Sequence, residues 1–392
     1  MKASRRRFEP AEYLARQTKT RAAMEAAGVE MMIVYDPANM YWLTGYDGWS
    51  FYVHQCVVIG TDGTLFWYGR GIDAKGAELT TDLGLDNILA YPDEYVMTPE
   101  RHPMEFLANI LQQKGLASCA IGLEKDNYYF SARAAESLYA CLPKATFSDQ
   151  TGLVNWQRAV KSPTEIIYMQ RAGKVIEGVY ERIMQVVHPG MRKNDLVAEI
   201  MHAGAQGKNG HYGDYPSLVP LIGAGDEAAA CHMTWDDQPL APEDGMCLEL
   251  AGVHNRYHCP CSRTLFLGTP TKKYRDIEKV INECTQNALE LFKPGVSCGE
   301  IAENFTANLK RNGYEKNNRV GYPIGLSYPP DWGERTMSLR DSDATVLEEN
   351  MTFHFMPAIW FDDWGFEMTE SVRVTNHGGE CLSQVPRQLL VR

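Results

Sequence analysis

The chain has 392 residues, 44% of them hydrophobic and 22% charged, which suffices for two domains with proper cores and excludes a disordered chain. A net charge of −12 argues against a nucleic-acid surface and for a small-molecule or protein partner, the Arg5 to Arg7 run being short enough for a solvated terminus. No apolar run is long enough for a membrane span or a signal peptide, and ten scattered cysteines show neither disulfide nor zinc-finger spacing, so a cytoplasmic protein without membrane contact is expected.

From Met31 to Asp149 short β-rich runs (MMIVYD, CVVIG, TLFWYG, CAIGLE) alternate with polar, helix-compatible segments, the pattern of an α/β domain. A boundary near Lys161 divides the chain into an N-terminal domain, 1–160, and a C-terminal domain, 161–392. Beyond it, Ser162-Pro163-Thr164-Glu165 reads as a capping box with proline at the first helical position. Apolar residues at Ile166, Met169, Ile176, Val179, Ile183 and Val187 keep helical spacing until Pro189-Gly190 stops the helix. The second half then repeats itself. Lys174-Val175-Ile176 recurs as Lys279-Val280-Ile281, Pro189-Gly190 as Pro294-Gly295, Leu196 as Ile301, and Asp244-Gly245-Met246 as Glu349-Asn350-Met351, always 105 residues on. One unit is helix, Pro-Gly turn, helix, then strands; two fused copies imply a pseudo-twofold axis with the ligand cleft between them.

In the run Met246 to Gly252, Glu249 lies between apolar neighbours and reads as a buried carboxylate on a strand. Burying it unpaired is expensive, so it has either a function or a cationic partner, Arg263 or Arg256. His354 stands 105 residues on, and the pseudo-twofold would set it facing Glu249. Glu367 and Glu370, in GFEMTESVRV, take opposite faces of a strand by parity. Glu370 shares its face with Met368, Val372 and Val374 and is expected to be the buried one, with both kept as candidates.

RAVKSPTEIIYMQRAGKV, the HPG and KPG turns and the SRTLFLG strand end resemble the creatinase, prolidase and methionine aminopeptidase family over nearly the whole chain. That resemblance implies an α/β (α+β) architecture: an N-terminal α/β creatinase-like domain, then a duplicated pita-bread catalytic domain. LRDSDATVLEENM is similar to the segment before the last strands of the creatinase-like branch. DPANMYWLTGYDGWSFYVHQC, HMTWDD and RYHCPCSRT resemble ectoine hydrolases, which open a cyclic amidine. Metal-dependent members of the family use two aspartates, a histidine and two glutamates. Counted back from Arg263, the aspartates fall on Glu249 and Pro260; counted forward from Gly245, the first falls on Ala251. The histidine falls on Tyr322, one glutamate on Met356, and only the last has carboxylates nearby, Glu370 or Glu367. Proline, methionine and tyrosine cannot replace such ligands, so no metal and no cofactor are expected.

By the same resemblance, His232 in ACHMTW takes the place of the cleft histidine that transfers protons in creatinases. It is the expected general acid/base, and Glu249, Glu370 and His354 complete the catalytic set. Substrate contacts are expected from Glu367, from Trp235, Tyr322 and Trp332, and from Arg335 as the clamp for a substrate carboxylate, with Phe51, Trp360 and Trp364 as further aromatics. Creatinase-like proteins are homodimers in which the small domain of one subunit closes over its partner's cleft, which makes Trp49, Tyr52 and His54 candidates to complete the partner's site. The implied substrate is small and cationic or zwitterionic, ectoine. Oxygen adds at the amidine carbon and one ring C–N bond breaks, giving N-acetyl-L-2,4-diaminobutyrate. Either His232 activates water or Glu249 attacks directly, and both routes stay open. The alternatives are an X-Pro metallopeptidase, a creatinase-type guanidinium hydrolase and a pita-bread module that binds peptides without catalysis.

Overall fold

A computed structural model describes residues 6–392; Arg5, the first of the Arg5 to Arg7 run, lies outside the described residues. The chain divides into two compact units, one ending at Arg158 and the other beginning at Ala159.

In the first unit, α1 (Pro10–Ala26) leads into β1 (Met31–Val34), α2 (Pro37–Thr44), β2 (Cys56–Gly60), β3 (Leu65–Arg70), α3 (Ala74–Thr80) and β4 (Ile88–Tyr91). Then follow α4 (Pro103–Gln113), β5 (Ala120–Leu123), α5 (Ala132–Cys141), β6 (Thr146–Asp149) and the short α6 (Leu153–Gln157). The strands form one sheet in the order β4-β3-β2-β1-β5-β6. Strand β1 pairs antiparallel with β2 and parallel with β5, and every residue of β1 and β2 is buried. Such uninterrupted apolar strands need cover on both faces. On one face Ile33 and Val58 join Met104, Leu107 and Leu111 of α4 and Leu138 of α5 in a single core.

The second unit opens with the capping box. The Ser162 hydroxyl accepts from Glu165 N–H at 3.2 Å and Glu165 Oε2 accepts from Ser162 N–H at 2.8 Å, starting α7 (Pro163–Val186). Helix α8 (Lys193–Gln206), β7 (Leu221–Ala224), β8 (Asp244–His254) and β9 (Tyr257–Leu267) complete the first repeat. The second runs through α9 (Lys272–Leu289), α10 (Cys298–Arg311), β10 (Gly321–Tyr328), β11 (Asp331–Gly333), β12 (Thr352–Phe355), β13 (Ala358–Trp360), β14 (Gly365–Glu367) and β15 (Glu370–Thr375). Strands β16 (Gly378–Cys381) and β17 (Leu390–Val391) close the chain. Helices α8 and α10 begin and end at the 105-residue offset, and Gly190 and Gly295, at φ +85° and +91°, supply the left-handed residue of each Pro-Gly turn. The main sheet runs β16-β15-β12-β10-β9-β8-β7, with β11 on β10 and β17 on β9; β13 and β14 form a separate hairpin.

Strand β8 fixes where Glu249 points. It pairs with β9 along its whole length through a two-residue turn, Asn255 and Arg256 at φ +50° and +67°, the left-handed pair that suits a tight twisted hairpin. A Cβ on Gly252 would meet the carbonyl of Ala172 at 2.1 Å, so α7 lies against the face that carries Leu248, Leu250 and Gly252. With side chains alternating, Cys247, Glu249 and Ala251 turn the other way. Glu249 stands opposite Ser262 of β9 and Leu221 of β7. Among the described residues no helix is long and apolar enough to cross a membrane.

Candidate active site

Glu249 is partly exposed, yet burial of its carboxylate and the negative charge of Asp331 raise its pKa to about 7. Glu367, at the end of β14, is buried and pushed well above the carboxylate range by desolvation and then by Glu249, with Lys316 pulling the other way. Burial keeps both carboxyls from ionising freely, and the charge of Glu249 adds to the effect on Glu367, so the pair holds on to protons that a bound cation would displace. Neither carries an ion pair among the described residues. Among the described residues Ser262 Oγ, Glu367 Oε2 and Trp360 Nε1 are buried without a full hydrogen bond, although Trp360 lies near enough to Glu367 to oppose the rise in its pKa. Buried orphans of this kind are rare in folded proteins and mark a place where a ligand can bond.

Across from them, Tyr322 of β10 and His354 of β12 are register partners. Trp332 Nε1 donates to the Tyr322 hydroxyl at 2.7 Å, His354 Nδ1 lies 3.1 Å from that hydroxyl, and His354 Nε2 lies 2.7 Å from Thr369 Oγ1, which also accepts from Ser262 N–H at 2.8 Å. Full burial, then the charge of Arg319, lowers the His354 pKa to about 3, so the ring is neutral and has one proton to place. With it on Nε2, the Thr369 hydroxyl proton has no acceptor among the described residues. With it on Nδ1, Thr369 donates to Nε2, His354 donates to Tyr322, and the tyrosine hydroxyl has accepted twice. The second arrangement gives the Thr369 proton an acceptor and leaves the Tyr322 proton free to point at the cleft, where the Glu249 charge already raises the phenol's pKa after the larger effect of burial.

Two cations border the carboxylates. Lys316 is partly buried, donates to the Ala358 carbonyl at 2.9 Å and has its ammonium 5.0 Å from the Trp360 ring centroid. Arg319, three residues on, is exposed, with its guanidinium 4.3 Å from the centroid of Tyr322. No ion pair to either residue is present among the described residues.

The expected site residues thus fall into separate groups. Glu249, Glu367, Tyr322 and His354 are brought together. Glu370 is also buried but is committed elsewhere: Arg263, fully buried, donates to it at 2.8 Å, and Arg387 lies 3.4 Å away. It was expected to be catalytic, and its environment is that of a structural ion pair. Glu249 therefore lacks the Arg263 partner considered for it, and Arg256 lies 3.8 Å over the Tyr215 ring instead. Trp332 is fully buried and reaches the site through Tyr322. His232 is exposed, with no hydrogen bond to its ring among the described residues, whereas the neighbouring Cys231 thiol is pushed up by burial and by Glu367 and Glu249. Trp235 is partly buried in the same loop, and Arg335 is exposed at φ +56°. In the other unit Trp49 and Tyr52 are exposed, while His54 is turned to His102, with their Nε2 atoms 3.1 Å apart. Sequence reasoning missed Lys316, Arg319 and Asp331. All three lie outside the long strands, and KNNR reads like any solvated segment.

A duplicated helix-turn-helix-strand unit that follows an α/β domain in the chain is the pita-bread fold, and here its strands carry Glu249 and Glu367. The chain matches the metallopeptidase family M24 over residues 168–376 and the creatinase/prolidase N-terminal domain over residues 16–160, and it belongs to that family. It is 49% identical to the ectoine hydrolase of Halomonas elongata over 98% of both chains, and 39% identical to an uncharacterized hydrolase/peptidase of Sinorhizobium fredii, again over 98% of each. Among solved structures, a prolidase from Thermococcus sibiricus matches with a TM-score of 0.83 at 16% identity, covering 97% of this chain and 99% of its own. A dipeptidase from Pyrococcus horikoshii matches with a TM-score of 0.81 at 18% identity, covering 96% and 100%. The family's name implies a metal. The positions that the resemblance gives to ligands hold Pro260, Tyr322 and Met356, and Glu370 is held by Arg263. Among the described residues no three His, Cys, Asp or Glu side chains are grouped to hold a metal ion. The donor set does not fit such a centre.

Proposed function

We propose that this protein hydrolyses ectoine, opening its cyclic amidine to N-acetyl-L-2,4-diaminobutyrate, and that it does so without a metal. The observation that carries the reading is the Glu249 and Glu367 pair, two carboxylates driven up by burial, Glu249 also by Asp331 and Glu367 also by Glu249, with no ion pair to an arginine among the described residues. An amidinium spreads one positive charge over two nitrogens, and two carboxylates can hold it. Its binding removes the repulsion between them and ionises the pair. The 49% identity to an ectoine hydrolase over nearly the full length points to the same substrate.

In the reaction one carboxylate takes a proton from water as the oxygen adds to the amidine carbon. The ring nitrogen that leaves must gain a proton before its C–N bond breaks, and as the carbonyl forms the second proton of the water follows it. Both protons of the water end on the released amine, so the charge of the amidinium is conserved as an ammonium. Direct attack by Glu249 followed by hydrolysis of the acyl enzyme gives the same balance. The Tyr322 hydroxyl, aimed by Trp332 and His354, supplies a donor for the developing oxyanion. Arg319 takes over from Arg335 as the clamp for the substrate carboxylate, and the proton transfer expected of His232 is assigned to the carboxylates. The same reading makes the enzyme cytoplasmic and a homodimer, with the exposed Trp49 and Tyr52 of one protomer offered to its partner's cleft.

Linkage supplies the test. Binding a cation to carboxylates with raised pKa values expels protons, so ectoine should bind more tightly as pH rises from about 6 to about 8, with protons released to the buffer. Calorimetry in buffers of different ionisation enthalpy reads both. Affinity independent of pH, with no proton release, would sink the reading.

A further inference from the structure

We propose that Lys316 is the group that protonates the departing ring nitrogen. The inference rests on the amidine-opening reading and adds a catalytic residue to it. Lys316 sits between α10 and β10. Its ammonium donates to the carbonyl of Ala358, the residue paired with Glu367 across the β13 and β14 hairpin, and lies beside the Trp360 ring. The lysine therefore meets the acidic pair at the edge where Glu367 ends its strand.

Its electrostatic surroundings suit a proton donor better than a permanent counter-ion. Burial is the largest influence and lowers the pKa to about 8, with Glu367 and then Cys231 opposing it. These are the charged or titratable groups that act on it; Ala358 offers a carbonyl and Trp360 a ring face. A donor of this strength is charged at neutral pH yet gives up its proton readily, the compromise that general acid catalysis needs. A cation beside an incoming amidinium is a liability at the binding step, tolerable because Glu367 and Glu249 hold both. Once oxygen has added to the amidine carbon the substrate is neutral, and a proton on the departing nitrogen is the remaining requirement. Lys316 gives its proton to that nitrogen, the C–N bond breaks as the carbonyl forms, and the hydroxyl proton released in the collapse returns through Glu367 to the amine of Lys316. The carboxylate that took the first water proton passes it to the released amine, which leaves as ammonium. The balance needs no co-reactant.

Lys316→Met keeps the stem and removes the proton, and Lys316→Arg keeps the charge on a group too basic to give its proton up. Both should bind ectoine within about fivefold of wild type and lose roughly 100-fold or more in kcat. Wild-type kcat should fall above about pH 8, and this alkaline limb should vanish in Lys316→Met, whose activity methylamine and ethylamine should restore. Wild-type kcat in Lys316→Arg, retention of the alkaline limb in Lys316→Met, or no amine rescue in a variant that still binds ectoine would each overturn the assignment. A wild type that binds ectoine without opening it, or does not bind it, would overturn the functional reading as well.

Discussion

Replacing Glu249 with glutamine should make the protein more stable at neutral and alkaline pH while removing its activity. In the native state the carboxylate titrates near 7, against an ordinary value of 4.5. The folded protein therefore binds this proton more tightly than the unfolded chain does. Stability contributed by the group is intact below about 4.5, is lost as pH rises towards 7, and stays lost above it. Each tenfold change in proton affinity is worth about 1.4 kcal/mol, so moving the midpoint from 4.5 to about 7 corresponds to roughly 3 kcal/mol of strain in the ionised native state. Glutamine fills the same volume without charge, and also relieves Glu367, whose carboxyl Glu249 pushes up. For a unit of this size, roughly 3 kcal/mol is about 6 to 12 °C in Tm. Paired melts of wild type and Glu249→Gln should coincide near pH 4.5 and separate progressively up to about pH 8, the variant melting higher. A variant that melts lower at pH 8, or a difference that does not depend on pH, would refute a buried, strained carboxylate.

Glu370→Gln should behave in the opposite way. It leaves the buried guanidinium of Arg263 without its carboxylate, which costs about 3 to 5 kcal/mol in urea titrations, while turnover per folded molecule stays near wild type; an unchanged stability with lost turnover would return Glu370 to the catalytic set. Arg319→Ala should raise KM for ectoine roughly 10- to 100-fold, the worth of a charge-assisted hydrogen bond, and leave the turnover of a cyclic amidine lacking the carboxylate unchanged. Equal losses on both substrates would remove Arg319 from the clamp.

How much of this could be read in advance depended on how local the signal was. The capping box at Ser162 and the 105-residue repeat involve neighbouring residues or a fixed period, and the helices start where those signals put them. Glu249 was legible from its apolar flanks, because a strand buried on its helix side advertises a carboxylate that is out of place. Parity placed Glu370 inside, where it is, but it also set Glu367 on the opposite face, and Glu367 is buried too. Parity assumes one continuous strand, but β14 ends at Glu367 and β15 begins at Glu370, while Met368 bridges to Arg263 and Thr369 N–H donates to the Ser262 carbonyl. The break lets both glutamates be buried, one towards the cleft and one towards Arg263. Lys316, Arg319 and Asp331 gave no signal at all, since a loop and a three-residue strand have no period to read and their charges acquire meaning only from carboxylates far away in sequence. His232 was read from resemblance alone, and here its side chain is exposed on its loop.

The central claim is that carboxylates open an amidine here in a site unsuited to a metal. Protein stripped with a chelator, checked for residual divalent ions and incubated with ectoine, creatine and Gly-Pro, tests it most directly, with products read by NMR. The expected result is conversion of ectoine to N-acetyl-L-2,4-diaminobutyrate at the rate of untreated protein, with creatine and Gly-Pro intact. Failure to open ectoine until a divalent metal is restored, or cleavage of Gly-Pro with two bound ions per chain, would contradict it.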